Sequence, residues 1–180
     1  MTRPLLDLGD GVEIRVLAPG DADEAFALVD AERERLRQWM PWVDATASAA
    51  DTRTFIETTR ASQTDLDGLG IYVGGAYVGG IGLRVEPLNR HAEIGYWIGS
   101  AWEGRGLVTR ACRALIRHAF DELKVHSIEI RVAPHNVRSR AIPERLGFTQ
   151  EGVQREAGRT DGQGFVDLIL YGLIDREWRG

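Results

Sequence analysis

Apolar and polar residues alternate from Val12 to Leu17 (VEIRVL), the two-residue period of a strand with one buried face. The period then lengthens: in PGDADEAFALVDAERERLRQWM, the residues Ala25, Leu28, Val29 and Leu36 fall on one helical stripe. Asp21 stands where a cap belongs, and Glu24 is spaced to return a bond to the cap's own amide. Pro41-Trp42 breaks that helix, and Ser48 with Asp51 opens a second one predicted to run through TFIETTRAS to Ser62. LGIYVGGAYVGGIGL reads as two strands joined at Gly74-Gly75, a strong hairpin signal. EPLNR then turns the chain into a fourth strand, HAEIGYWIG. Leu107, Val108, Ala111, Cys112, Leu115, Ile116, Ala119 and Phe120 recur at helical spacing, with Arg110, Arg113 and Arg117 opposite them. A fifth strand (HSIEIRVA), a short helix ending at Gly147 (NVRSRAIPERLG) and a late strand (FVDLILYGLI) complete the pattern. The order β, α, α, β, β, β, α, β, α, β, β predicts an α/β fold with a mixed sheet, and no linker divides it, so residues 1–180 are expected to form a single domain.

Composition narrows the classes of function. The chain is 43% hydrophobic and 27% charged, as in an ordinary soluble globular protein, and no apolar run approaches the roughly 20 residues that span a bilayer. With no secretory h-region either, a cytoplasmic protein that does not engage membranes is expected. A net charge of −5 argues against a general nucleic-acid binder. Cys112 is the only cysteine, which excludes an internal disulfide, and its place on the apolar stripe predicts a buried, inert thiol. His91, His118, His126 and His135 show no ligand spacing with one another or with Cys112, so no metal is expected.

Between the fourth strand and the long helix lies EGRGLVT, Glu103 to Thr109. No Gly-Lys-Ser/Thr follows, which excludes a nucleotide P-loop, and Thr109 stands where a dinucleotide fingerprint needs its third glycine. Two readings remain on this stretch alone. The glycines serve a strand-to-helix turn that needs positive φ, or the helix N-terminus beyond them holds an anion on its unpaired amides.

EIGYWIGSAWEGRGLVTRACRALIRHAF, followed by NVRSRAIPERLGF and EGVQREAGR, resembles the GCN5-related N-acetyltransferase (GNAT) superfamily, and LRQWMPW and DLILYGLIDREW resemble its branch that acetylates the N-termini of ribosomal proteins. The resemblance covers nearly the whole chain. It implies the GNAT fold, a mixed central sheet of about seven strands flanked by helices, whose fourth and fifth strands splay to hold acetyl-CoA. It implies further that Glu103, Gly104, Arg105, Gly106, Leu107, Val108 and Thr109 cradle the coenzyme's pyrophosphate through backbone amides. The superfamily pattern is Gln/Arg-x-x-Gly-x-Gly/Ala, whereas this chain has Glu103 first and Val108 last. Main-chain donors tolerate both changes, but Glu103 must then be paired or turned away.

By the same resemblance Tyr96, Trp97 and Ile98 run along the pantetheine arm, with the amide of Trp97 or Ile98 offered to the thioester oxygen and a bulge expected at Gly95. Glu93 shares a face with Gly95 and Trp97 and is the leading base, against the plainer reading of a solvated strand end. A protein α-amine, with pKa near 8, is about a tenth neutral at pH 7, so a weak base or a water chain suffices; a lysine, near 10.4, demands more. Many superfamily members place a tyrosine acid where this chain has Pro143. The spacing of Asn136 and Ser139 instead implies that Asn136 bonds the pantetheine and Ser139 donates to the thiolate, with helix capping the alternative for both. Pro143 lacks the amide that would reach the carbonyl of Ser139, so a kinked or late-starting helix is expected. Trp39 and Trp42 are candidates for the acceptor wall, core packing being the alternative. The implied acceptor is a protein N-terminus or a small amine, a coenzyme-binding module without turnover is the rival from another class, and the family's frequent dimerisation leaves a homodimer open.

Overall fold

The computed structural model describes residues 5–61, 66–160 and 164–180. Among these described residues eight strands form one sheet: β1 (Leu6–Asp7), β2 (Val12–Val16), β3 (Leu69–Val73), β4 (Ala76–Glu86), β5 (His91–Ile98), β6 (Ser127–Val132), β7 (Thr149–Thr160) and β8 (Gly164–Ile174), in the order β1-β2-β3-β4-β5-β6-β8-β7. That is one strand more than the pattern predicts, because Leu6–Asp7 adds a two-residue edge to β2. All neighbours are antiparallel except β5 and β6. A parallel pair needs a crossover, and α4 (Leu107–Asp121) supplies it.

The helices cover both faces. On one, Ala111, Cys112, Leu115, Ile116 and Ala119 of α4 pack without exposure against Ile14, Ile71, Leu83 and Ile128 of the sheet, and α5 (Val137–Arg145) adds Ile142. On the other, α1 (Ala22–Ala31) and α3 (Ala49–Ala61) enclose Leu17, Tyr72 and Tyr77, with Trp97 against them. Strand alternation sorts the sides: Ile71 faces α4, while Tyr72 faces α1 and α3.

Local signals hold at some ends and fail at others. Ser48 Oγ accepts the Asp51 amide at 3.3 Å and starts α3 as expected, and the predicted end at Ser62 lies outside the described residues. The capping box at Asp21 does not form. Asp21 Oδ2 accepts the amide of Ala18 (2.7 Å), and Glu24 Oε1 accepts that of Tyr77 (2.9 Å), tying α1 to β4 instead. The first predicted helix is also two, α1 and a single turn α2 (Arg33–Leu36). Pro143 lies within α5, which starts at Val137 and is not late.

Candidate active site

After β5 the chain reaches Gly104 and Gly106 with φ of 73° and 72°, left-handed values that a side chain would strain. Gly106 caps α4, whose first amides, those of Leu107, Val108 and Thr109, have no partner within the helix. The side chains of Leu107 and Val108 do not compete for the space ahead, because both are buried in the core. The two sequence readings therefore coincide, because the turn that needs glycine is also what leaves a positive helix end open to an anion. Arg105 lies over the Trp102 ring at 4.7 Å.

Glu103 is paired. Its Oε1 accepts from Arg35 Nη1 (2.8 Å) and its Oε2 from Arg138 Nη1. Arg35 also donates to Glu32 (2.6 Å) and to the carbonyl of Ile98 (2.5 Å), and Glu32 holds the amide (2.8 Å) and hydroxyl (2.6 Å) of Ser100. Burial opposes charge on Glu32, but the bonds from Ser100 and Arg35 outweigh it and hold the carboxyl below the usual range. Of the two expectations for Glu103, paired or turned away, pairing is the one found, with two arginines that the sequence did not identify.

The sheet opens beside this loop. β5 and β6 pair only through His91↔Ser127, Ala92↔Ile128 and Glu93↔Glu129, and from there the strands part. No bulge occurs at Gly95, since the β4–β5 register runs unbroken from Gly79↔Ile98 to Glu86↔His91; the opening comes from the end of parallel pairing. The Gly99 amide bonds Val78 of β4 (2.8 Å), and the carbonyl of Arg90 accepts from His126 on the β6 side (2.5 Å). With that alternation the Trp97 amide points to β4 and those of Tyr96 and Ile98 into the gap. Of the two amides considered for the thioester oxygen, only Ile98's is turned to the gap.

Glu93 stands at the apex of the fork. Arg131 grips it with both arms, Nη2 to Oε2 at 2.6 Å and Nε to Oε1 at 3.2 Å, and Arg84 approaches to 3.8 Å.

The far wall is α5. Asn136 Oδ1 accepts the Ser139 amide (3.2 Å), a helix cap that leaves the Nδ2 donors of the side chain for other partners. The Tyr96 phenol donates to the carbonyl of Ser139 (3.0 Å) and accepts from the Ser139 hydroxyl (3.2 Å). A phenol absent from position 143 of the helix thus reaches Ser139 from the strand. Burial pushes the Tyr96 phenol upward, as it does the thiol of Cys112, which is fully buried as expected.

A cleft of ≈ 680 Å³ runs through the sheet: Glu93, Gly95, Tyr96, Trp97, Asn136 and Ser139 line it together with Trp39 and Trp42, whereas Ile98 and the stretch from Glu103 to Thr109 lie outside its lining. Trp42 is exposed and tilts against Trp97 at 6.0 Å, which in turn meets the edge of Tyr77 at 6.0 Å. The end of β7, with Ala157, Gly158 and Thr160, lines the cleft as well. The sequence reading missed this contribution, because the stretch from Gln154 to Thr160 carries no apolar period. Among the described residues no three His, Cys, Asp or Glu converge on a metal position; His91 instead contacts Ser127 (3.0 Å) and Glu129 (3.4 Å).

Comparison with known proteins agrees with this geometry. The acetyltransferase (GNAT) domain family matches residues 12–149. YdaF of Bacillus subtilis (strain 168) is 39% identical over 177 residues, 96% of each chain. The ribosomal-protein-serine acetyltransferase of Escherichia coli (strain K12) is 26% identical over 172 residues, covering 94% of this chain and 96% of that one. Among solved structures, the microcin C7 self-immunity acetyltransferase MccE in complex with acetyl-CoA and AMP superposes with a TM-score of 0.86 at 26% identity, over 93% of this chain and 94% of that one. The chain belongs to the GNAT acetyltransferase family.

Proposed function

We propose that this GNAT acetyltransferase, as one domain over residues 1–180, passes the acetyl group of acetyl-CoA directly to the N-terminal α-amine of a protein, with ribosomal proteins as the leading acceptors. The observation that carries the reading is the parting of β5 and β6 after Glu93↔Glu129, because the gap leads from the α5 wall to the aromatic wall at Trp39 and Trp42. The relative from Escherichia coli, named for a ribosomal-protein serine, supports a protein acceptor, and a net charge of −5 suits a basic one.

In this reading the amides of the stretch from Glu103 to Thr109 hold the pyrophosphate, and Asn136 Nδ2 bonds the pantetheine arm, along which Tyr96 and Trp97 lie. The coenzyme supplies an activated thioester. The Ile98 amide donates to its oxygen as the tetrahedral intermediate forms. The ammonium first gives a proton to Glu93, directly or through water, and an α-amine needs no stronger base. The neutral nitrogen then attacks, a C–N bond forms, and the C–S bond breaks with its electron pair on sulfur. Ser139 donates a hydrogen bond to that thiolate, and the proton leaving nitrogen balances the one the thiol regains. Trp39 and Trp42 wall the acceptor. The reading involves no metal, nucleic acid or membrane, and it places the protein in the cytoplasm with its substrates.

A second reading rests on Trp42, Trp97 and Tyr77, whose ring faces suit the cation of a small amine such as a polyamine. Release of thiol from acetyl-CoA, measured with peptides beginning Ala, Ser, Met and Arg beside spermidine, an aminoglycoside and a lysine peptide, separates the two. Turnover on a peptide that stops when its N-terminus is blocked supports the first; turnover on small amines alone overturns it. Coenzyme A binding with silence across the panel would favour a module without turnover.

A further inference from the structure

We propose that Tyr96 and Pro143 together form a positioning device for the Ser139 hydroxyl, in which the phenol takes over a helix bond that the proline deletes and so holds the serine ready for the leaving sulfur. The inference rests on the reading of Ser139 as the donor to that sulfur.

In a regular helix the amide at position 143 bonds the carbonyl at 139. Proline has no N–H, so the carbonyl of Ser139 loses that partner. Tyr96 replaces it from another element, its O–H donating to this carbonyl at 3.0 Å. The phenol has one proton, and this bond uses it. Its oxygen therefore faces the Ser139 hydroxyl as an acceptor, at 3.2 Å. The Ser139 amide is held by Asn136 Oδ1 at 3.2 Å. Amide, carbonyl and hydroxyl of Ser139 are thus each engaged by a named partner, two of them by one phenol. The bulk of helix α5 does not slip through this substitution, because its last turn is closed independently by the bonds from Gly147 to Glu144 (3.3 Å) and from Phe148 to Pro143 (3.0 Å).

Without the phenol, a helical serine turns its hydroxyl back to a carbonyl of the preceding turn, a stronger acceptor than a neutral phenol and one that points it away from the cleft. With the phenol, the hydroxyl rests on a weak, uncharged acceptor and transfers readily to an anionic sulfur. Burial keeps Tyr96 in the protonated form that this arrangement needs. The proline that stands where many relatives carry a tyrosine acid is then the partner of a tyrosine on β5, and not merely a loss.

The test uses the full chain with coenzyme A itself, so that no acceptor has to be known: the thiol pKa of bound coenzyme A, read from thiolate absorbance, and the thermal midpoint, for Ser139→Ala, Tyr96→Phe and the double variant Tyr96→Phe/Pro143→Ala. Ser139→Ala is expected to reduce the thiolate fraction of the bound coenzyme about tenfold, and Tyr96→Phe to reproduce that change. Tyr96→Phe also leaves a carbonyl without its donor and lowers the midpoint by about 3 °C. In the double variant the alanine amide restores the carbonyl's partner, so the midpoint recovers while the thiolate fraction stays low. Recovery of both would reduce Tyr96 to a structural strut and overturn the proposal, as would a Tyr96→Phe protein whose bound thiol matches wild type while Ser139→Ala shifts it. If Ser139→Ala itself leaves the thiol unchanged, the fault lies in the reading of Ser139 as donor, and the positioning role falls with it.

Discussion

Replacing Gly106 by alanine places a methyl group where the structure has open space, with nothing within 4 Å, so the change removes no packing. Its cost is conformational. At φ +72° an L residue pays about 1–2 kcal/mol relative to glycine. For a chain of 180 residues each kcal/mol lowers the thermal midpoint by about 2–4 °C. Gly147, past the end of α5, supplies the control: its φ is +82°, it too has nothing within 4 Å, and it lies outside the stretch proposed as the phosphate cradle. Gly106→Ala and Gly147→Ala are therefore expected to lower the midpoint alike. They should differ in coenzyme A binding, measured by titration calorimetry. Displacing one or two amides from the pyrophosphate costs about 1.5–3 kcal/mol, which is roughly 10- to 100-fold in Kd. Gly147→Ala should bind within about twofold of wild type. Two proteins equally destabilised and equally competent to bind would show that the end of α4 holds no phosphate, and the cradle would have to be sought elsewhere.

Glu93→Gln keeps the shape of the fork but removes the negative charge; kcat for a peptide acceptor should fall about 100-fold with the KM for acetyl-CoA little changed, and an unaltered kcat would remove Glu93 from the proton path. Glu103→Gln releases Arg35 and Arg138 from their shared carboxylate, so coenzyme A should bind a few-fold more tightly at low salt, the gain shrinking toward zero near 1 M salt; weaker binding would mean that Glu103 organises the cradle. Burial raises the phenols of Tyr72, Tyr77 and Tyr96 and the thiol of Cys112 above their ordinary values. The fold thus favours their protonated forms, and this contribution is intact below the unfolded values, about 8.5 for the thiol and 10 for the phenols, and is lost as pH climbs past them. Urea titrations should give an unfolding free energy that falls steadily above about pH 9, and a constant value to pH 11 would contradict it.

The sequence reads most clearly where one segment decides its own structure. The period of α4, the Gly74-Gly75 hairpin and the Ser48 cap depend on neighbours a few residues away, and all three stand as expected. Asp21 and Glu24 had the spacing of a capping box, but the amide of Tyr77, 53 residues from Glu24, competes for the same carboxylate and wins it. The same reason hides most of the site. Arg131 reaches Glu93 across 38 positions, Arg35 reaches Glu103 across 68, and Tyr96 meets Ser139 across 43. Each depends on how two elements cross, which periodicity does not encode. Gly95 marks the right place for the wrong cause: the strands part because a parallel pairing ends, not because a bulge intrudes.

Three residue pairs join the β1–β5 half of the sheet to the half made of β6, β8 and β7. Mechanically the sheet is two ribbons fastened at one short seam, with α4 as the strap between them. A ligand lying in the open part of that seam touches both ribbons and becomes a structural member in its own right. At 100 times its Kd it adds about 2.7 kcal/mol to the free energy of unfolding, a sizeable share of what a domain this large has to spare. Lifetime against unfolding, and so against proteolysis, is then coupled to the supply of coenzyme.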